Sequence, residues 1–279
     1  MSTILVGCEL GYEVRQPTVF LLQIVAARTA HQDVTHEQLQ ITPKRDLQQY
    51  QIGLEGNSLH RMVAQPCELT ISYRATVELS PITLPTTNVG ESDASDMPPE
   101  VLTYLNPSRY CESELLARFA FEEFGQLEKG FGRVQAICDW VHSHLDYTPG
   151  STTLTTTAAD VLLQRTGVCR DYAHLAITLC RSNGIPARYV AGYAVDLEPP
   201  DFHGFMEAFL DGQWYLFDPT QLAPTNKLIR IGVGRDAADV AFATFTGDAI
   251  STEKGVWANE VKDDPPPSID GDSTAVSTA

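Results

Sequence analysis

The chain contains 279 residues, of which 43% are hydrophobic, and it carries a formal net charge of −17 at pH 7. This hydrophobic content can fill the core of one large domain or of two ordinary ones. The negative charge argues against nucleic acid and anionic membrane surfaces as partners, because both attract Lys and Arg.

No segment approaches the roughly 20 apolar residues that a membrane-spanning helix needs, so we expect no membrane partner. The first residues, MSTILVGCELGYEV, lack the basic and apolar regions of a signal peptide. We therefore expect a cytoplasmic protein, in which thiols stay reduced.

The cysteines include no CxxC pair, and their spacing does not match a metal site. We therefore expect no metal and no cofactor. Five of the six cysteines are expected to be small buried hydrophobes. The six are Cys8, Cys67, Cys111, Cys138, Cys169 and Cys180.

Residues 1–84 have the sequence pattern of β-strands. In CELTISYRATVELS every second residue from Leu69 to Val77 is apolar, which places these side chains on one face of a strand. Helical periodicity is scarce here, so we predict an antiparallel β-sandwich-like domain. Residues 85–100 are polar, acidic and rich in turn formers, and they are predicted to form a linker.

Residues 101–262 combine helical patterns with later strand patterns, which is typical of an α+β domain. Apolar residues recur at helical spacing from Val134 to Leu145. Thr157 and Asp160 form the start signal of a second helix in TAADVLLQRTG. A third helix is predicted to begin near Cys169.

The third helix is predicted to end near Gly184, and three strand segments follow it: ARYVAGYAV, HGFMEAFL and QWYLFD. Residues 263–279 have no apolar periodicity, and we predict a disordered tail.

The motif GVCRDYAH places Cys169 at the start of the third helix, directly after a turn that Gly167 permits. The free N–H groups and the dipole at a helix N-terminus favour an anion, and therefore a thiolate. No polar residue occupies the N-cap position, which leaves these amides free for another acceptor, such as a substrate oxyanion. From position alone, a structural cysteine is an equally good interpretation.

The same helix carries a polar stripe among apolar residues, and we predict that this stripe is a narrow solvent-facing side. Its members are Arg170, Asp171, His174, Thr178 and Arg181.

A candidate base lies in HGFMEAFLDGQWYLFDPT, where Asp211-Gly212 is a two-residue hairpin signal. Pairing continued from this turn sets His203 diagonal to Asp218 on one face, at roughly 7–8 Å. The imidazole could take the thiol proton, while the carboxylate orients the ring. Considered one at a time, His203 is more simply interpreted as a surface histidine and Asp218 as a turn-forming aspartate. Together with Cys169, they favour a Cys169–His203–Asp218 triad.

The segments GVCRDYAHLAITLCRSNGIPARYVAGY and HGFMEAFLDGQWYLFDPT resemble the transglutaminase-like superfamily, and more narrowly its bacterial cysteine peptidases. LEGNSLHRMV and YLNPSRYCESELL are similar to that family's N-terminal and linking segments. The resemblance covers most of residues 1–250. It implies a papain-like core, with helices packed on an antiparallel sheet, behind the β-domain. It also implies that Cys169 is the nucleophile, His203 the general base and Asp218 the orienting acid.

The chemistry that this resemblance implies is acyl transfer on a peptide or amide substrate through a thioester. Hydrolysis by a peptidase or amidase is the leading hypothesis; amine transfer by the same triad and a non-catalytic binding module are the alternatives. The family usually follows its histidine with Ala-Trp, whereas this chain has Gly204-Phe205. Phe205 is therefore expected beside the site, with an effect on substrate preference. Tyr147 is our candidate for a side-chain oxyanion donor.

Two other polar residues near these motifs are expected to stand outside the catalytic set. His174 lies on the helix flank one turn after the cysteine, so we expect a structural hydrogen bond, with Asp171 or Arg170 as its partner. Glu207 shares a face with the candidate base. It could contact a substrate amine, but a solvated strand carboxylate is the simpler interpretation.

Overall fold

The computed structural model describes residues 1–261 and 274–279. Four α-helices lie in these residues: α1 (Ser113–Phe124), α2 (Phe131–His144), α3 (Ala158–Gln164) and α4 (Cys169–Ser182). The first eight strands are β1 (Ser2–Val14), β2 (Thr18–Leu22), β3 (Gln32–Thr42), β4 (Gln48–Ile52), β5 (Asn57–Ala64), β6 (Cys67–Leu79), β7 (Ile82–Pro85) and β8 (Asp146–Tyr147). The later strands are β9 (Thr166–Gly167), β10 (Ala187–Ala194), β11 (His203–Leu210), β12 (Gln213–Phe217), β13 (Leu228–Gly234), β14 (Ala243–Thr246), β15 (Ala249–Glu260) and β16 (Thr274–Ser277).

Two four-stranded antiparallel sheets form the N-terminal β-structure, in the orders β15-β1-β6-β3 and β14-β2-β5-β4. In the central strand β6, every second side chain from Leu69 to Leu79 is at most 5% exposed, as the alternating sequence predicts. The ring centroids of Tyr12 on β1 and Phe20 on β2 lie 5.1 Å apart. The two sheets therefore share one apolar core.

The last strands of the predicted 101–262 domain return to this N-terminal structure. β15 pairs with β1 over most of its length, and β14 pairs with β2. Both are edge strands of their sheets. The sandwich therefore consists of residues from both ends of the chain, and the predicted range 1–84 supplies only part of it.

The second half of the chain is built on an antiparallel sheet in the order β12-β11-β10-β13. Asp211 and Gly212 have φ values of 45° and 80°, the positive values that a tight two-residue hairpin requires. Phe209 pairs with Trp214 and the neighbouring residues follow in step, so the predicted register is correct.

Helix α4 packs against this sheet and against the other three helices. Four of the five residues of its polar stripe are buried, contrary to the prediction of a solvent-facing side: Asp171, His174 and Thr178 are at most 1% exposed, and Arg181 is 4% exposed. The Arg170 side chain is 20% exposed. The Arg181 guanidinium donates to the carbonyl oxygens of Asn106, Ala187 and Arg235. Segments distant in sequence cover the stripe and satisfy its polar groups, so burial costs little.

The predicted linker over residues 85–100 contacts the start of α2. Val89 is 4% exposed, and its carbonyl accepts a hydrogen bond from the Phe131 amide at 3.0 Å. Glu91 forms an ion pair with Arg133, and both side chains are nearly buried. These contacts attach the segment to the helical core.

The C-terminal strand departs from the prediction of a disordered tail over residues 263–279. β16 pairs with β7, and Ala275, Val276 and Ser277 are at most 4% exposed. Burial of these small apolar side chains explains the order at residues 274–277. The predicted tail from 263 to 273 lies outside the described residues. Within 1–261 and 274–279, no helix is long and apolar enough to cross a membrane.

Candidate active site

The first residue of α4 is Cys169, and Val168 precedes it without a side-chain cap. The Val168 amide donates to Asp171 Oδ2 at 2.9 Å, because the aspartate reaches back over the first turn. A Cβ on Gly167 would lie 2.8 Å from the Asp171 Cβ. Glycine is therefore needed at 167 for the close approach of Asp171, and the turn holds the cysteine at the helix start.

The cysteine thiols differ in exposure. Cys169 and Cys67 are partly exposed, and the other four are buried. Burial raises the pKa of Cys8 and of Cys111 to about 12, and it also raises the pKa values of Cys138 and Cys180. These four are the small buried hydrophobes that the sequence predicts, whereas Cys67 is not fully buried.

His203 begins strand β11 and lies beside Asp218, which directly follows β12. The His203 Nε2 and Asp218 Oδ2 atoms are 2.9 Å apart, and the two side chains are 1% and 2% exposed. Nδ1 of His203 is buried and has no hydrogen-bond partner within the described residues. The Cys169 thiol lies close enough to this ring to raise the pKa of His203, so the ring is adjacent to both the sulfur and the carboxylate.

Three donors besides His203 hold the Asp218 carboxylate. The Thr220 hydroxyl and amide donate to Oδ1 at 2.7 and 3.0 Å, and the Ala223 amide donates to Oδ2 at 3.2 Å. The sequence analysis missed Thr220. The signal that could have found it is Asp-Pro-Thr at a strand end, because an aspartate in a turn accepts from the backbone two residues later.

Burial and ion pairing act in opposite directions on this pair. Burial opposes the charge on Asp218, but His203 and the hydrogen bonds from Thr220 outweigh it and lower the pKa of Asp218. Burial likewise opposes the charge on His203, but Asp218 and the Cys169 thiol outweigh it and raise the pKa of His203 to about 10. The imidazolium thus places a positive charge beside the Cys169 sulfur at neutral pH.

Tyr147 lies near Cys169 because it pairs with Gly167 in the short parallel ladder of β8 and β9. Its hydroxyl lies close enough to the backbone N–H and the thiol of Cys169 for both to affect its pKa. Burial, with the charge of Cys169, raises the pKa of Tyr147, so the phenol keeps its proton at neutral pH. The structure thus brings the candidate oxyanion donor to the cysteine.

His174 and Glu207 lie outside this group of residues. The Ala237 amide donates to His174 Nε2 at 3.1 Å, so its partner is neither Asp171 nor Arg170 as expected. Burial lowers the pKa of His174 to about 3. Glu207 is 0% exposed, so the expectation of a solvated carboxylate is wrong: Arg188 on β10 and Arg230 on β13 form ion pairs with it.

The Gly204-Phe205 pair has a local explanation. A Cβ on Gly204 would lie 2.3 Å from the hydroxyl of Tyr189, which occupies the space where the family usually has an alanine side chain. Phe205 is 0% exposed, and its ring centroid lies 6.1 Å from that of His203. The phenylalanine therefore lies beside the candidate site, as expected, and packs against the histidine from the interior.

Known protein families match the region of the candidate site and the N-terminal region, and a solved structure matches nearly the whole chain. A family model described as the transglutaminase-like superfamily matches residues 118–219, which include all three candidate catalytic residues. A second, described as the bacterial transglutaminase N-terminal domain, matches residues 3–95. The crystal structure of a candidate cysteine protease from Cytophaga hutchinsonii is 37% identical, with a TM-score of 0.94 over 99% of this chain and 97% of that one. The chain belongs to the transglutaminase-like superfamily. The predicted fold is thereby confirmed.

Curated relatives of this transglutaminase-like protein match over a shorter length. An uncharacterized protein of Mycobacterium leprae is 41% identical over 120 residues, which are 39% of this chain and 42% of that protein. One from Mycobacterium tuberculosis is 37% identical over 115 residues, 36% of this chain and 37% of that protein. The chain thus spans about two fifths of the length of these relatives.

Proposed function

We propose that this member of the transglutaminase-like superfamily hydrolyses amide or peptide bonds through a thioester on Cys169. The observation that carries the proposal is the order of three groups: a partly exposed thiol, the His203 ring, and the Asp218 carboxylate 2.9 Å from that ring. This order supplies a nucleophile, a proton carrier and an orienting anion.

In the proposed acylation, the Cys169 thiolate attacks the substrate carbonyl carbon and a C–S bond forms. When the tetrahedral intermediate collapses, the C–N bond breaks and the proton held by His203 passes to the leaving nitrogen. The amine leaves, and the acyl group remains as a thioester. Asp218 holds the ring in one orientation and stabilises its cationic form.

The oxyanion of the intermediate needs preorganised donors. The backbone N–H of Cys169 is one, and the Tyr147 hydroxyl lies close to it in the resting protein. In our proposal the substrate oxygen accepts a hydrogen bond from this N–H. The phenol then donates a hydrogen bond to the same oxygen, because its raised pKa keeps the hydroxyl protonated.

In the proposed deacylation, His203, now neutral, takes a proton from water, and the resulting hydroxide attacks the thioester. The C–S bond breaks, a carboxylic acid leaves, and the thiolate–imidazolium pair is restored. A primary amine in place of water would give a new amide. The same residues therefore support hydrolysis or amine transfer, and the acceptor decides between the products.

The test is mass spectrometry of a glutamine-containing peptide incubated with the 279-residue chain, with and without a primary amine. Hydrolysis predicts free acid or cleaved peptide in both cases. A stable amide adduct that replaces these products would show amine transfer. The Cys67→Ser variant is the matched control, because it removes the other partly exposed thiol. Turnover in Cys169→Ala equal to that of the unmodified chain would contradict the mechanism.

A further inference from the structure

A cavity of about 740 Å³ lies away from the candidate active site, between the N-terminal sheets and the sheet of the second half. Its walls include His60 on β5, Arg188 on β10 and Arg230 on β13, with Trp214 and Tyr104 beside them. Pockets for small organic ligands commonly have volumes of about 300–1,000 Å³. The volume therefore suits a small molecule.

Beneath the cavity, one carboxylate joins two arginines. Glu207 is fully buried and accepts from Arg188 Nε at 2.7 Å and from the Arg230 guanidinium. Burial opposes its charge, but the two arginines outweigh burial and lower the pKa of Glu207. Glu207 therefore stays ionised, and Arg188 and Arg230 stay fixed at the cavity wall.

Two carboxylates that line the cavity, with side chains 29% and 31% exposed, already have donors. Glu55 accepts from the Tyr104 hydroxyl at 2.6 Å and pairs with Arg188 at 3.0 Å. Glu37 accepts from the Tyr73 hydroxyl at 2.9 Å and from Arg28 at 3.0 Å. The carboxylates of Glu55 and Glu37 are thus already engaged.

Two buried donor atoms of the cavity residues, in contrast, have no acceptor within the described residues. Arg230 Nε and His60 Nδ1 are buried atoms without a hydrogen-bond partner within the described residues. Both residues line the cavity, and they are 5% and 6% exposed. Burial lowers the pKa of His60, so its ring is neutral and can carry a hydrogen on Nδ1. Buried polar atoms in proteins nearly always have a partner, so a missing acceptor is the direct explanation.

We propose that this cavity binds a small organic carboxylate, with Arg230 Nε and His60 Nδ1 as donors to its oxygens. A carboxylate supplies two acceptors and a single negative charge, which suits a site whose arginines are already paired with glutamates. Apolar wall residues such as Val25 and Leu39 would contact the body of the ligand.

This site is separate from the proposed catalytic residues, although one strand connects them. Glu207 follows His203 by four residues on β11, which corresponds to about 13 Å along a strand. The binding proposal therefore goes beyond the proposed hydrolysis and does not depend on it.

Isothermal titration calorimetry with benzoate and 3-phenylpropionate tests the proposal, and the neutral isostere benzamide tests the need for charge. We expect saturable binding of the carboxylates and at least tenfold weaker binding of benzamide. Arg230→Lys retains a cation for Glu207 but loses the Nε–H donor, and His60→Ala loses the second donor. Each variant should weaken binding at least tenfold, with folding checked by circular dichroism.

Two controls separate this site from its surroundings. Arg61→Ala removes an exposed side chain next to His60 that binds Gln48 and Tyr50, and it should bind like the unmodified chain. Cys169→Ala should also bind normally, even if the proposed hydrolysis fails. Absence of saturable binding up to about 10 mM, equal binding of benzamide, or retention of affinity in both Arg230→Lys and His60→Ala would overturn the proposal. Loss of binding in Cys169→Ala would assign the ligand to the catalytic site and would also overturn it.

Discussion

Asp218 accepts a hydrogen bond from Nε2 of His203 at 2.9 Å, and both side chains are at most 2% exposed. A buried ion pair of this kind is stable only when hydrogen bonds satisfy its remaining polar atoms. Thr220 and Ala223 supply these bonds to the carboxylate. The arrangement keeps one ring nitrogen engaged and leaves the other for the neighbouring thiol.

The first prediction concerns the pH dependence of activity. The pKa of His203 is raised from 6.5 to about 10. The stabilisation that charged His203 gives the folded protein is therefore fully present below pH 6.5. It is lost as pH rises through about 10. In the proposed mechanism this same proton goes to the leaving group. We therefore expect kcat/KM to fall on the alkaline side near pH 10, measured with a peptide amide substrate. An alkaline fall near pH 6.5 would mean that Asp218 does not hold the charge on His203.

The second prediction removes the charge of the orienting residue. In Asp218→Asn, burial of His203 is no longer opposed by a carboxylate, and burial disfavours the imidazolium. The alkaline fall in kcat/KM should move to lower pH by more than two units. The maximal rate should fall by roughly 10²–10⁴-fold. An unchanged pH profile in Asp218→Asn would contradict this role.

The third prediction concerns Thr220, which sequence reasoning missed. Thr220→Val keeps the side-chain shape but removes the hydroxyl that donates to Asp218 at 2.7 Å. We expect kcat/KM to fall about tenfold, which is equivalent to about 1.4 kcal/mol, because the backbone donor of residue 220 remains. Thr220→Ser retains the hydroxyl and should restore most of the activity. Equal losses in the Val and Ser variants would show that the methyl group, and not the hydrogen bond, matters.

The fourth prediction concerns the buried carboxylate of Glu207. Glu207→Gln keeps the volume but leaves Arg188 and Arg230 without their shared anion. The free energy of unfolding should fall by about 3 kcal/mol, measured by urea denaturation. Glu13→Gln is the control, because Glu13 is an exposed partner of Arg15 and exposed pairs contribute little. A similar small change in both variants would show that Glu207 does not stabilise the buried arginines.

The fifth prediction concerns the residue after the candidate base. Gly204→Ala places a Cβ 2.3 Å from the Tyr189 hydroxyl, so the melting temperature should fall. Adding Tyr189→Phe removes that hydroxyl and should recover part of the loss. The recovery should be incomplete, since ring carbons would still lie 2.9 and 3.0 Å away. Independent, additive losses in the double variant would contradict this contact.

Local signals predicted a large part of the fold and of the candidate site. The turn at Asp211-Gly212 determined the hairpin register, and that register brought His203 and Asp218 together before any family was considered. Thr157 is the N-cap of α3 and Asp160 lies in its first turn, as predicted, and together they form a capping box. In each case the interacting residues lie within about 15 positions of one another, so the sequence pattern contains both partners.

Long-range contacts explain what sequence reasoning could not predict. The polar stripe of α4 is covered by segments near residues 106–111 and 235–237, and no local pattern identifies such covers. Glu207 is buried with two arginines, one from β10 and one from β13, as its ion-pair partners. The strands β14 and β15 also return across the whole chain to complete the N-terminal sheets. Helix α1 was not predicted from the sequence.

The most direct test of the account is to trap the acyl-enzyme. A peptide p-nitroanilide is mixed with the protein, the reaction is quenched with acid within the first turnover, and the digested protein is mapped by mass spectrometry. We predict an acyl adduct on the peptide that contains Cys169, which hydroxylamine removes at neutral pH. The adduct should be present in Cys67→Ser and absent in Cys169→Ala. Turnover of the substrate without any adduct on Cys169, or with the adduct on Cys67, would contradict the account.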